Sequence, residues 1–298
     1  MTDPELNEIL ALGPAVEPIE APHINPEDAI SPIMYPEAYK EAMAYLRALM
    51  SAKEYSERAL AMTQYIISMN PAHYTVWTYR ADTLRELGSD LKAELQFISD
   101  MAEVSSKNYQ LWHHREVVVG MLGQLPENEK DFLARILQDD AKNYHVWTYR
   151  QWLVKQFGTE GELDFTKTLI TRDIYNNSAW NHRYFIHERN GLTGDAVDTE
   201  LAYVQSVIDQ EPENKSPWAY MRGILKMTAR SESSIKDFVA YHDSLPALEF
   251  MASIHGSSPE ATALLAKLEQ RDPIRRHYWR YRQSQLQATT QTPVPYPT

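Results

Sequence analysis

The chain has 298 residues, a formal net charge of −12 and no cysteine. The acidic balance argues against nucleic acid as the main ligand, because binding to a phosphate backbone requires clustered Lys and Arg. Without cysteine the chain offers no disulfide framework, no thiolate zinc site and no cysteine nucleophile. No stretch reaches the roughly 18 apolar residues that cross a bilayer, and no basic segment precedes an apolar one near the N-terminus, so we expect a cytoplasmic protein.

The two ends of the chain differ in composition from its body. Residues 1–31 contain five prolines, seven acidic residues and no Lys or Arg. This composition predicts a Pro-rich acidic arm that is disordered or loosely draped. Residues 285–298 contain three prolines and no apolar period, which predicts a flexible tail. Residues 32–284 are therefore the predicted folded body.

Within the body a tryptophan recurs at steps of 33 to 38 residues, at Trp77, Trp112, Trp147, Trp180 and Trp218. Four of these are followed after three residues by an arginine, at Arg80, Arg115, Arg150 and Arg183. In four copies an asparagine lies four residues before the tryptophan, at Asn108, Asn143, Asn176 and Asn214. The outer copies depart from the pattern, with His73 in place of Asn in the first and Met221 in place of Arg in the fifth. A fixed period of this length indicates a repeat array.

Local signals predict that each copy is helical. In the second copy, Asn108 is a favoured N-cap, YQLWHHREVVVGML is apolar at helical spacing, and Gly123 is a stop. After a polar turn, PENEKDFLARILQDDAK has the same period and acidic residues at its start, which predicts a second helix. Equivalent stops in three other copies are Gly88, Gly158 and Gly191. Further helices are predicted at about 36–50, 55–69, 258–270 and 275–286.

The prediction for residues 32–284 is an all-α fold, a right-handed superhelical crescent (α-solenoid) of stacked helical hairpins, because single hairpins cannot bury their apolar faces. Each hairpin is expected to start with its tryptophan helix. Trp and Arg share one helix face, so the guanidinium either stacks on the indole or holds the next hairpin by hydrogen bonds. The nine residues assigned this structural role are Trp77, Arg80, Trp112, Arg115, Trp147, Arg150, Trp180, Arg183 and Trp218.

Residues that differ between copies near each helix start are the candidates for function. The second and third copies place there Lys107, Tyr109, Gln110, Lys142, Tyr144 and His145. A lysine beside two helix N-termini suits a phosphate or diphosphate, since the ammonium and free backbone N–H groups both favour anions. The alternative is a solvated lysine beside a cap, and the periodicity does not separate the two. The histidine spacing fits no zinc site.

The copies do not match the tetratricopeptide pattern, and together they resemble the repeats of protein prenyltransferase α subunits. The resemblance covers about residues 32–281 and is carried by SPIMYPEAYKEAMAYLRALMSAKEYSERAL, KNYQLWHHR, KNYHVWTYR, NNSAWNHRYF and RHYWRYR. The paired KNY motifs are most similar to the α subunit shared by protein farnesyltransferase and geranylgeranyltransferase type I. This resemblance implies a heterodimer with a β subunit that binds the catalytic zinc, with magnesium able to accompany the diphosphate.

The reaction implied by the resemblance is transfer of a farnesyl or geranylgeranyl group from its diphosphate to the cysteine of a C-terminal CaaX sequence, on substrates such as small GTPases. By resemblance, Lys107 and Tyr144 act on the diphosphate and are the catalytic candidates. Tyr109 lies near the isoprenoid, Gln110 binds the CaaX carboxylate, and Asn143 and His145 sit beside them.

A second hypothesis, a non-catalytic helical scaffold that binds peptides or partner proteins, stays open. The sequence does not choose the β subunit, the isoprenoid or the protein substrates, and it assigns no role to the acidic arm.

Overall fold

In the computed structural model, residues 3–22, 30–31 and 33–290 are described, the last four of them without their side chains. The described residues form α-helices joined by short loops and two 3-10 turns, with no strand among them. The helices are α1 Pro4–Leu10, α2 Glu37–Ser51, α3 Glu57–Met69, α4 Tyr74–Leu87, α5 Leu91–Ser105, α6 Tyr109–Leu122, α7 Glu129–Asp139, α8 Tyr144–Phe157, α9 Glu162–Arg172, α10 Asn177–Asn190, α11 Asp195–Gln210, α12 Lys215–Met227, α13 Lys236–Tyr241, α14 Leu245–His255, α15 Pro259–Arg271 and α16 Arg276–Thr290. The all-α prediction is confirmed.

Capping explains where the tryptophan helices begin and end. The Asn108 side chain accepts a hydrogen bond from Leu111 N at 2.9 Å, so α6 starts at the predicted residue. Gly123 follows α6 with φ 65°, a left-handed conformation that glycine adopts without the Cβ penalty of other residues. The four helices predicted outside the tryptophan copies are also present, with ends shifted by a few residues.

The chain divides into two compact units, Met1–Gly158 and Thr159–Thr298. In the first unit α3 packs on α4, α5 on α6 and α7 on α8, and the tryptophan helices α4, α6 and α8 lie side by side. In the second unit α9 packs on α10 and α11 on α12, α10 lies beside α12, and α14, α15 and α16 pack in sequence.

The packing corrects the predicted hairpin register by one helix. We expected α6 to pair with the helix that follows it, whereas α6 packs on α5, the helix before it. Caps and apolar periodicity act within one helix, so they do not distinguish a pair of α6 and α7 from a pair of α5 and α6. Arg115 on α6 donates back to Leu95 O and the Ser99 hydroxyl on α5, and these bonds are among the contacts of this pair.

Residues 3–22, which were predicted as part of a loose arm, instead pack on the helical body. Helix α1 packs on α3, and Leu6 and Ile9 are buried in one cluster with residues of α2 and α3. Further on, Ile19 N donates to Ala44 O on α2, and Arg47 Nε donates to Ile19 O. Leu6 and Ile9 are three residues apart and so share one helix face, which the acidic composition of the arm obscured. Residues 1–2 and 23–29 of the arm lie outside the described residues.

The predicted tail also begins later than expected. Helix α16 continues to Thr290, through the first six residues of the range 285–298. Leu286 packs against the cluster that buries Trp279, so α16 is still in contact with the core inside the range predicted as tail. Residues 291–298 lie outside the described residues.

Candidate functional site

The tryptophans anchor each helix start to the loop before it. The indole Nε1 of each of the five repeat tryptophans donates to the carbonyl six residues earlier: Trp77 to Pro71, Trp112 to Ser106, Trp147 to Ala141, Trp180 to Ile174 and Trp218 to Pro212, over 2.8 to 3.2 Å. All five tryptophans are buried. A side chain that satisfies its only donor inside the protein in this way has a structural role.

The cap asparagines link one copy to the next through the same carbonyls. Asn108 Nδ2 donates to Pro71 O at 3.0 Å, and Asn143 Nδ2 donates to Ser106 O at 3.3 Å. Asn214 Nδ2 donates to Ile174 O at 2.8 Å. One loop carbonyl therefore receives the indole of its own copy and the amide of the next copy, which sets the spacing of neighbouring helix starts.

The arginines hold neighbouring helices by hydrogen bonds, the second of the two alternatives that the sequence left open. Arg115 donates to both carboxylate oxygens of Glu129, at 2.6 and 2.7 Å, and both side chains are buried. Its guanidinium lies over the ring of Phe132, 4.2 Å from the centroid, and not over an indole. Arg80 pairs in the same way with Glu94, and Arg183 with Glu200.

Sequence reasoning missed these glutamates, although a signal was present. Glu94 and Glu129 each follow their arginine by 14 residues, and Glu200 follows by 17. Each glutamate also binds a side chain of the next copy, His114, Tyr149 or Tyr220. Burial raises the pKa of the Glu200 carboxyl, but the nearby His187 imidazole and Arg183 guanidinium outweigh this effect and lower the pKa to about 2.

The helix starts of α6 and α8 expose a different set of side chains. The structure brings together here all six predicted catalytic and substrate-binding residues, on two adjacent helices of one unit: Lys107, Tyr109, Gln110, Asn143, Tyr144 and His145. Tyr109 and Tyr144 are 65% and 64% exposed although both are large aromatic residues, and Gln110 is half-buried. Exposed aromatic side chains beside a lysine are available to a ligand or to a partner protein.

The rings at this surface contact one another. The His145 and Tyr109 rings are perpendicular with centroids 4.2 Å apart, and the Tyr109 and Tyr144 centroids are 6.4 Å apart. Burial lowers the pKa of His145 below its ordinary value, so its imidazole is neutral at pH 7. The cluster therefore presents two phenol hydroxyls and a neutral imidazole, all of which can bind phosphate oxygens or pack on an apolar chain.

Two exposed lysines, Lys107 and Lys142, bring positive charge to this surface. The Lys107 side chain is 77% exposed, and its Nζ lies 3.4 Å from Asp140 Oδ2, in the loop that precedes α8. An exposed ammonium that pairs with one carboxylate can exchange that partner for a more highly charged anion.

Asn143 is placed differently from the other five. It is buried, its Oδ1 accepts from His145 N and Val146 N, and its Nδ2 donates to Ser106. In α8 the cap takes the N–H groups of His145 and Val146, whereas in α6 the Asn108 cap takes that of Leu111. Asn143 thereby fixes the start of α8, where Tyr144 and His145 lie.

The described part of the chain has neither a clustered set of metal ligands nor a membrane span. Among those residues, no group of three or more His, Asp or Glu is arranged to hold a metal ion. No helix there is both long and apolar enough to cross a membrane.

The repeats match a known family over more than half of the chain. The description "protein prenyltransferase alpha subunit repeat" applies to residues 56–87, 91–122, 126–157, 159–190 and 197–228. The chain belongs to the protein prenyltransferase alpha subunits. Each matched segment pairs a tryptophan helix with the helix before it, which is the register found in the structure.

Relatives of this prenyltransferase alpha chain align over most of its length. The protein farnesyltransferase/geranylgeranyltransferase type-1 subunit alpha of Solanum lycopersicum is 41% identical, over 86% of this chain and 85% of the relative. The same subunit of Candida albicans is 37% identical, over 87% and 93%. A solved structure of Candida albicans protein geranylgeranyltransferase-I complexed with GGPP is similar with a TM-score of 0.84 at 36% identity, covering 91% of this chain and 97% of that chain.

Proposed function

We propose that this chain is the alpha subunit of a heterodimeric protein prenyltransferase that moves a farnesyl or geranylgeranyl group from its diphosphate to the cysteine of a C-terminal CaaX sequence. The observation that carries the proposal is the joint exposure of Lys107, Tyr109 and Tyr144 at two helix starts where the repeated Trp and Asn side chains are used for packing and capping. The names of the relatives and the GGPP in the similar solved structure support it.

In the proposed reaction, the substrate cysteine sulfur forms a bond to C1 of the isoprenoid as the bond from C1 to the diphosphate oxygen breaks. The electron pair of the broken bond leaves with the diphosphate, so negative charge grows there in the transition state. The ammonium of Lys107 and the hydroxyl of Tyr144 stabilise that charge, which lowers the barrier to the extent that they bind the transition state better than the ground state.

The remaining residues of the surface bind substrate. Tyr109 packs beside the isoprenoid, with its ring position held by the perpendicular contact with His145. Gln110, on the first turn of α6, offers its amide to the carboxylate of the CaaX peptide. Asn143 acts indirectly, because its cap fixes the start of α8.

The other subunit supplies what this surface lacks. The described residues do not form a zinc site, so we assign the zinc that activates the substrate thiol to a beta subunit, and any magnesium to the bound diphosphate. We propose that the heterodimer is cytoplasmic.

The test is co-purification of this chain with a prenyltransferase beta subunit, followed by transfer of labelled farnesyl to a CaaX peptide. We expect activity in the mixture and none with either subunit alone. A chain that stays monomeric and ignores beta subunits and isoprenoid diphosphates would contradict the proposal and favour a peptide-binding scaffold.

Substituting Lys107→Ala in that complex separates its chemical role from assembly. Because the side chain is exposed and its removal leaves no buried group unpaired, we expect the heterodimer to form normally. We expect the single-turnover rate to fall by one to three orders of magnitude, about 1.4 to 4 kcal/mol of barrier. Lys92→Ala is the control, since Lys92 is exposed on α5 of the same unit and should leave the rate unchanged. Normal turnover of Lys107→Ala would remove Lys107 from the mechanism.

A further inference from the structure

The ammonium of Lys107 already has an anionic partner within the chain. Its Nζ lies 3.4 Å from Oδ2 of Asp140, which is the residue that follows α7. The two residues belong to different copies, so the ion pair joins the loop before α6 to the loop before α8. The Asp140 side chain is 37% exposed, so water and a ligand can both reach the pair.

The backbone beneath Lys107 is held against the same loop. Ser106 O accepts hydrogen bonds from Trp112 Nε1 at 2.8 Å and from Asn143 Nδ2 at 3.3 Å. The Ser106 hydroxyl lies at 3.3 Å from the same Asn143 nitrogen. Because Asn143 N also donates to Asp140 O, the backbone segments that carry Lys107 and Asp140 are held next to each other. The ion pair therefore forms between two backbone positions that are already in place.

We propose that Asp140 is the resting counter-ion of Lys107 and competes with the isoprenoid diphosphate for its ammonium. This inference rests on the function proposed above. When Lys107 turns to the diphosphate it gives up its ion pair with Asp140, and the loss of that pair opposes binding. Asp140 thus weakens the ground-state complex and acts through Lys107 as a positioning residue.

A purely structural explanation of the pair makes a different prediction. Tyr175 OH donates to Glu211 Oε2 at 2.9 Å, and these residues hold the equivalent places two copies further on, in the second unit. Tyr175 immediately precedes the cap Asn176, as Lys107 precedes Asn108, and Glu211 follows its helix as Asp140 follows α7. If such contacts only tie loops together, removing either carboxylate should have the same result.

The experiment measures the dissociation constant of farnesyl diphosphate for the complex of this chain with a beta subunit. The variants are Asp140→Asn, Lys107→Ala, both together, and Glu211→Gln as the matched control. An exposed ion pair contributes little, so we expect Asp140→Asn to tighten binding about two- to fivefold at low salt. The gain should shrink at high ionic strength, where exposed charges are screened.

Three results identify action through Lys107. In the Lys107→Ala background, Asp140→Asn should change affinity by less than about 1.5-fold, because the group it competes for is absent. Glu211→Gln should leave affinity unchanged. Asp140→Glu should return affinity close to that of the wild type, because it restores a carboxylate within reach of the ammonium.

Two results would overturn the inference. Unchanged affinity of a folded Asp140→Asn complex would show that the carboxylate does not compete. Equal tightening with and without Lys107 would show that Asp140 acts on the ligand directly. A wild-type complex that does not bind farnesyl diphosphate is a separate outcome, which overturns the proposed function and this inference with it.

Discussion

The substitution Arg115→Met tests how the copies are joined. The Arg115 and Glu129 side chains are 3% and 2% exposed, with paired contacts at 2.6 and 2.7 Å. Removing the arginine leaves the Glu129 carboxylate buried, with the Tyr149 hydroxyl still donating to it at 2.6 Å. It also leaves Leu95 O and the Ser99 hydroxyl without their contacts to Arg115. Breaking one side of a buried pair typically costs about 3–5 kcal/mol, and we expect a loss of that size.

The assay is urea unfolding followed by circular dichroism, with stability taken from the midpoint and slope. The control is Arg85→Met, since Arg85 pairs with Asp82 at 2.8 Å but the two side chains are 56% and 43% exposed. We expect that variant to lose no more than about 1 kcal/mol. Adding Glu129→Gln to Arg115→Met should recover part of the loss, because the neutral amide can still accept from Tyr149. Equal losses in Arg115→Met and Arg85→Met would refute the argument that burial of the charge sets the cost.

Two further predictions concern stability. Trp147→Ala should lower the free energy of unfolding by about 3–5 kcal/mol, because it empties a buried site and removes the donor to Ala141 O, and a thermal midpoint equal to wild type would refute this. His114 is buried, which lowers its pKa below 6.5 in spite of its hydrogen bond to Glu94, so the folded state holds it neutral. As pH falls below about 6.5 the unfolded chain takes up the proton first and stability is lost. His114→Tyr places at position 114 the residue that the next copy has at Tyr149, and it should reduce this loss of stability between pH 7 and pH 5. An equal fall of the thermal midpoint in the variant and the wild type over that range would contradict the prediction.

Helices and their starts could be predicted from the sequence, because they depend on residues that are close together along the chain. The tryptophan period, the asparagine caps and the glycine stops predicted the helices α6 and α8 and their starts, because capping and amphipathic periodicity act within a few residues. The resemblance then singled out Lys107, Tyr109 and Tyr144, and the structure places them together. Residues 291–298 lie beyond the described part of the chain, and the tail there stays a prediction.

Helix pairing and the partners of buried side chains could not be predicted, because they involve residues that are far apart in the sequence. Helix α6 pairs with α5 and not with α7, Arg115 is neutralised by Glu129, and Asn143 is buried as a cap and link. The acidic composition of the arm did not reveal that it docks, because a short buried face is outweighed by its charged and proline residues. The contact of Lys107 with Asp140 joins residues 33 positions apart. Such contacts are set by how whole helices pack, and packing follows from the fit of many side chains at once, which no local pattern contains.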